Sequence, residues 1–226
     1  MPPSNLTQSL GTVTVWLAAP GAATLFNPAN QTSEDRNRWP SLRGQRRRLD
    51  WMVSRALLAG VSPQHGVPVS LSHSHGHAAL ALGPPGFQVG VDLEFIRHRD
   101  AMSIARWAFS PRECAEIEAL DESARLRQFY ALWTLKEAFA KALKIDLQYA
   151  LRECQIWRET DGWRASAPAS VPWSADVFSP SDNLMLAVVR AAPDDTRISM
   201  GRVIQHQWPE GETPEWERVL GIQCSG

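Results

Sequence analysis

Gly90-Val91-Asp92-Leu93-Glu94 decides how the chain is read, together with Trp133-Thr134-Leu135-Lys136-Glu137-Ala138-Phe139-Ala140-Lys141 about forty residues later. As a strand, the first stretch sends Asp92 and Glu94 to one face and Val91 and Leu93 into a core. As a helix, the second sets Glu137 and Lys141 one turn apart on one side. Three carboxylates gathered in one place repel and raise one another's pKa unless a divalent cation sits among them, and nearby lysines suit a phosphorylated ligand. The residue types therefore outline a magnesium-dependent, phosphate-handling site. Each pattern also has a plainer reading. Asp-x-Glu is a common solvated strand face, and Glu four residues before Lys is a favourable surface pair worth roughly half a kcal/mol on any helix. Spacing does not separate the two.

Working outward, Thr12 to Ala18 reads as an opening strand closed by Pro20-Gly21, and Leu49, Met52, Val53, Ala56 and Leu57 recur at helical spacing, predicting a helix over 43–59 stopped at Gly60. Short strands follow at Val69 to Ser74, His77 to Leu82 and Phe87 to Glu94, the last two separated by the turn Gly83-Pro84-Pro85-Gly86. Ser110-Pro111-Arg112-Glu113 has the form of a capping box opening a helix to about Leu120. Phe129, Leu132, Leu135, Phe139 and Leu143 form an apolar stripe on a helix from Ser123 to Leu143. Gln155 to Glu159 and Trp163 to Ala167 flank an Asp161-Gly162 turn, Leu184 to Ala191 and Ile198 to Ile204 are two further strands, and Trp208 to Gly226 is expected to fray. The reading is an α+β fold of two similar halves sharing one interface.

Composition narrows the function. With 226 residues and 44% hydrophobic content the chain can build a generous core. Lys+Arg 23 against Asp+Glu 24 gives no overall basic field, so nucleic acid and anionic membrane are not expected partners, and any anion binding must be local. Cys114, Cys154 and Cys224 are odd in number and far apart, suggesting neither a disulfide framework nor a zinc site, which fits a reducing cytoplasm. The apolar run Val13 to Ala19 is too short for a membrane span or signal peptide, and no targeting segment is expected.

Taken in order, Ser70-Leu71-Ser72-His73-Ser74, Gly90-Val91-Asp92-Leu93-Glu94, Phe109-Ser110-Pro111-Arg112-Glu113 and Trp133 to Lys141 resemble the motif series of the 4'-phosphopantetheinyl transferase superfamily, in its Sfp-type, single-chain, two-half branch. The resemblance runs from about Ser70 to Lys141. It implies a pseudo-twofold α+β fold with an N-terminal half over 1–88 and a C-terminal half over 89–226, acting as a monomer. It also implies an enzyme that moves phosphopantetheine from coenzyme A to a serine of an apo acyl or peptidyl carrier protein, releasing adenosine 3',5'-bisphosphate.

Carried over by position, the resemblance makes Asp92, Glu94 and Glu137 the Mg2+ ligands, direct or through water, and Glu137 also the base for the carrier serine. Lys136 and Lys141 would hold phosphate oxygens, with Lys141 at the reacting centre, and Ser72 and His73 would contact the phosphates of coenzyme A. Arg46, placed by the Arg-x-Leu-Leu ending at Arg55, would hold a phosphate. Glu113 falls on a family acid, but its capping-box role accounts for it equally well. The alternation of His73, His75 and His77 also describes one polar strand face. The ten tryptophans are scattered and are read as packing residues.

The chain departs from the family pattern at Val67, where many relatives have lysine in a Gly-Lys-Pro triplet, and at Lys144-Ile145-Asp146 after the catalytic helix. The alternative to an enzyme is a non-catalytic coenzyme A or carrier-protein binding module.

Overall fold

The computed structural model describes residues 12–192, 202–210 and 214–224. Its elements are strand β1 (Val13–Ala18), helices α1 (Ser33–Arg38) and α2 (Gln45–Val61), strands β2 (Val69–Ser74), β3 (His77–Leu82) and β4 (Gln88–Phe95), and helices α3 (Ala101–Ala108), α4 (Pro111–Glu118), α5 (Glu122–Leu143) and α6 (Leu147–Glu153). Strands β5 (Gln155–Glu159), β6 (Gly162–Ser166), β7 (Trp173–Ser181), β8 (Leu184–Ala191), β9 (Val203–Trp208) and β10 (Glu217–Cys224) complete it.

Two four-stranded sheets carry the α+β architecture, in the orders β2-β3-β1-β9 and β10-β7-β8-β4. Each contains the same unit: a strand, a long helix, then a hairpin whose second strand returns antiparallel beside the first. In one unit this is β1, α2, β2, β3, with β1 on β3. In the other it is β4, α5, β7, β8, with β4 on β8. The second unit opens with β4 at Gln88. The chain nevertheless crosses back, because β9 pairs in parallel with β1 and extends the first sheet.

Alternation along the strands builds four layers. Val13, Val15, Leu17, Ala79 and Ala81 of the first sheet meet Val91, Leu93, Leu186 and Val188 of the second in an apolar layer. The opposite face of the first sheet takes Val53 and Leu57 of α2, and that of the second takes Phe129, Leu132, Leu135 and Phe139 of α5. Each such valine, leucine or phenylalanine side chain contributes roughly 1.5–3 kcal/mol when fully buried. The expected apolar stripe of α5 is therefore its core face. Asp121 caps the helix by accepting from the Ala124 amide at 2.9 Å, and Lys144 ends it in the left-handed region, φ 56°.

The sheets also meet edge to edge. β4 pairs with β8 on one side only, which leaves the amides of its other edge without a strand partner. Ser70, Ser72 and Ser74 of β2 fill that role. Val91 N–H donates to Ser70 Oγ at 2.9 Å, Leu93 N–H to Ser72 Oγ at 3.2 Å and Phe95 N–H to Ser74 Oγ at 3.1 Å. Three alternate side chains stand in for a backbone ladder, and losing one would orphan an amide at about 1–3 kcal/mol.

Several elements differ from expectation. Residues 217–224 are not a fraying end but the edge strand β10, held by antiparallel pairing with β7. β7 itself, α3 and α6 were not foreseen. Of the strand expected over 198–204, residues 198–201 lie outside the described residues, and β9 continues on to Trp208.

Gly90 is where the layers touch most closely. A Cβ there would lie 2.0 Å from the Ala138 carbonyl oxygen and 2.6 Å from the Ala142 amide nitrogen, both backbone atoms of α5. Neither can move without shifting the helix. Gly90→Ala is expected to cost about 3 kcal/mol or more, read as a lower urea midpoint at unchanged slope.

Candidate active site

β4 and α5 place the three acids as expected. Asp92, Glu94 and Glu137 each offer an oxygen, and these atoms lie within 4.8 Å of one another. Asp92 and Glu94 leave one face of β4 by two-residue alternation, while Val91 and Leu93 enter the inter-sheet core. Glu137 comes from α5, which Gly90 allows to lie directly on β4.

Lys141 is the cluster's internal counter-charge. Its Nζ donates to Asp92 Oδ1 at 2.8 Å and to Ser72 Oγ at 3.2 Å, and lies 3.5 Å from Glu137 Oε1. Burial disfavours its charged form, yet Asp92 and Glu137 outweigh burial and raise its pKa. The two oxygens of Asp92 are thus unequal. Oδ1 also accepts from the Ser72 hydroxyl at 2.8 Å, whereas Oδ2 is buried with no hydrogen-bond partner.

Electrostatics of the cluster are unfavourable for three charges. Burial, then Asp92 and Glu137, push the Glu94 carboxyl up to about 7. Burial and Asp92 also raise Glu137, with Lys141 opposing. A hard, oxygen-rich donor set with an orphaned carboxylate oxygen and two carboxyls held above their usual range suits a divalent cation such as Mg2+.

Ser72 and His73 part company. Adjacent on β2, they face opposite ways: Ser72 is buried against the acid cluster, and His73 opens on a cavity of about 420 Å³ beside α2. Arg38, Arg47, Asp50, Trp51 and Arg55 line it with His73. The imidazole is reached by solvent at its rim, but the surrounding protein lowers its pKa through burial, which Asp50 opposes. Arg55 is held by Asp35 at 2.9 Å and stacks 4.0 Å over the Trp51 ring.

Arg46, expected at the phosphate, instead sits with Nη1 3.3 Å from His75 Nε2. Arg47 faces the cavity. The residue missed by sequence reasoning had a signal: 47, 51 and 55 recur every four positions and so share one face of α2, from which position 46 is rotated by about 100°.

Lys136 does not reach the site. It is fully buried, donating from Nζ to Glu113 Oε2 at 2.8 Å and to the Leu151 carbonyl at 2.8 Å. Its pKa is lowered by burial, with Glu113 opposing. Glu113 has a matching structural load: the capping box is present, and Glu113 also accepts from the Ile156 amide at 2.9 Å. Glu113 and Lys136 together tie α4, α5, α6 and β5. The expectation that Lys136 holds phosphate gives way to this pairing, because an ammonium with no solvent exposure and two acceptors has no path to a ligand.

The fold and the acid cluster can now be set beside known proteins. Residues 88–188 match the family model of the 4'-phosphopantetheinyl transferase superfamily. The chain is similar to the 4'-phosphopantetheinyl transferase HetI of Nostoc, at 33% identity over 129 residues covering 57% of this chain and 53% of that protein. It is also similar to the 4'-phosphopantetheinyl transferases AcpT of Salmonella typhi, at 38% over 113 residues covering 42% of this chain and 58% of that one, and of Escherichia coli, at 36% over 124 residues covering 45% and 63%. The chain thus spans between about half and two thirds of the length of these relatives. The matched superfamily span contains Asp92, Glu94, Glu137 and Lys141, whereas β2 and α2 lie before it. Among the described residues, no helix is long and apolar enough to cross a membrane.

The raised Glu94 pKa has a thermodynamic sign. With a folded value near 7 against an ordinary 4.5, the native state binds more protons than the unfolded chain between those values, so this group's contribution to stability falls as pH rises through that window. In chelator, the wild type should therefore lose melting temperature relative to Glu94→Gln between about pH 5 and about pH 7.5. Added Mg2+ should raise the melting temperature of the wild type at neutral pH and leave Glu94→Gln nearly unmoved.

Proposed function

We infer that this protein transfers the 4'-phosphopantetheine group of coenzyme A to a serine of an apo acyl or peptidyl carrier protein, with Mg2+ held by Asp92, Glu94 and Glu137. The carrying observation is the convergence of these acids and Lys141 where β4, α5 and β2 meet, in a chain that also holds a cavity beside α2 lined by arginines and His73 and has a superfamily match over the acids. When bound, the cation supplies charge neutralisation on the pyrophosphate and on the departing bisphosphate.

The chain's own residues do the rest. Glu137, its basicity raised by burial, accepts the proton of the carrier serine as the serine oxygen bonds to the phosphorus on the pantetheine side. The bond from that phosphorus to the bridging oxygen breaks, and adenosine 3',5'-bisphosphate leaves. Lys141 turns from Asp92 toward the phosphate oxygens, its long stem allowing the reach. Arg47 and His73 take a phosphate of coenzyme A in the cavity beside α2, with Arg55 fixed by Asp35 and Trp51 as part of its wall. Lys141 and Lys144 line a second cavity, of about 360 Å³, together with Val67, so cationic groups flank the position where the expected lysine is replaced. Both halves of the site come from one chain, which supports a monomer acting in solution on a transient carrier partner.

Incubation with coenzyme A, Mg2+ and an apo carrier protein should add one phosphopantetheine to the carrier by mass spectrometry. Glu137→Gln should lower the rate by about 10²–10⁴-fold with coenzyme A binding retained. Coenzyme A binding without mass gain on several carriers would instead support a non-catalytic binding module. In a calorimetric titration, Arg47→Ala and His73→Ala should each weaken coenzyme A binding by about 10–100-fold, the loss of a charge-assisted contact, while Arg46→Ala should change it by less than about threefold.

A further inference from the structure

The β2 serines do two jobs at once, and the second follows a strict register. Ser72 Oγ accepts from the Leu93 amide and donates to the carboxylate of the preceding residue, Asp92, at 2.8 Å. Ser74 Oγ repeats this one step along: it accepts from the Phe95 amide and donates to Glu94 Oε2 at 3.2 Å. Ser70 accepts from the Val91 amide, but the residue before Val91 is Gly90, which has no side chain to receive its proton. The same lacing therefore occurs three times, and only twice with an acid at its end. Ser72 and Ser74 are both buried at this seam.

We propose that Ser72 and Ser74 are positioning residues for the acid cluster: their hydroxyls, supplied by the N-terminal half, fix the carboxylates of Asp92 and Glu94 so that the remaining oxygens face the cation. This rests on the reading of Asp92, Glu94 and Glu137 as divalent-cation ligands. A hydroxyl locked as acceptor by a backbone amide has one proton left to give, and the carboxylate is its partner in both cases. For Asp92 the consequence is visible in the unequal oxygens, Oδ1 engaged by Ser72 and Lys141 and Oδ2 left without a partner. Ligand-orienting partners of this kind commonly carry a factor of about 10–100 in metal affinity. The arrangement makes the seam between the halves part of the metal site's geometry, so Ser72 serves the cation where the sequence resemblance had assigned it to coenzyme A phosphate.

Ser70 supplies the control, since Ser70→Ala breaks the same interstrand lacing without touching an acid. The experiment titrates wild type, Ser70→Ala, Ser72→Ala and Ser74→Ala with Mn2+, read by electron paramagnetic resonance of free Mn2+, below the melting temperature of every variant. Ser72→Ala and Ser74→Ala are expected to weaken Mn2+ binding by about tenfold or more, and Ser70→Ala by less than about twofold although its melting temperature also falls. If Ser72→Ala does not fold, Ser72→Cys, similar in size but a weak donor, is expected to lose Mn2+ affinity in the same direction. Wild-type affinity in the Ser72 and Ser74 variants, or an equal loss in Ser70→Ala, would overturn the proposal while leaving the metal site standing. A wild type that does not bind Mn2+ would overturn the metal reading itself, and the proposal with it.

Discussion

The unpaired edge of β4 is the constraint on which the structure turns. A strand buried at the centre of a molecule cannot leave its amides facing apolar neighbours, and β4 has a strand partner on only one side. The alternate serines of β2 answer that demand with side chains, bringing the two sheets together at their edges as well as their faces. The seam fixes where β4 lies relative to β2. Because Asp92 and Glu94 project from β4, it also fixes where the acids stand. Stability and site geometry here share the same hydroxyl groups.

A second constraint comes from Gly90. With backbone atoms of α5 occupying the space a Cβ would need, the helix lies flat on the strand, and Glu137 and Lys141 reach the acids that follow Gly90. The resulting cluster is under electrostatic load: burial and Asp92 raise both the Glu94 and Glu137 carboxyls, Glu137 raises Glu94 further, and Lys141 supplies the counter-charge within the chain. The fully buried Lys136 and Glu113 contrast with this. Their charges are matched by hydrogen bonds from four elements, leaving them no reach toward a ligand.

Much of the framework was legible because local pattern and tertiary role coincide. β2, β3 and β8 carry the bounds their residues predict, and the stripe of Phe129, Leu132, Leu135 and Phe139 is the buried face of α5. Where the two diverge, the reading failed for a physical reason. β7 contains Ser174 and Asp176, which break the hydrophobic pattern of a core strand, yet the structure buries both and satisfies them with Arg190, at 2.7 and 2.9 Å. β10 looks like a polar tail until Leu220 and Ile222 find the core beneath β7. α3 and α6 start at Asp100 and Asp146, whose caps were readable signals passed over among charged neighbours.

From its residues alone, the sequence determined the chemistry available: three acids and a lysine at strand and helix spacings, a capping box, and a glycine before the acids. Those features are local, set by two-residue and four-residue periodicities that need no knowledge of the rest of the chain. What only the tertiary structure decided is which partner each group meets. Arg47 rather than Arg46 faces the cavity because α2 is rotated that way on its sheet, Lys136 turns inward because α4 brings Glu113 beneath it, and Ser72 meets the carboxylate of Asp92 because the edges of β2 and β4 lie in register. Charge and hydrogen-bonding capacity are written residue by residue, but their partners depend on contacts 20 or more residues apart along the chain, which no local spacing encodes.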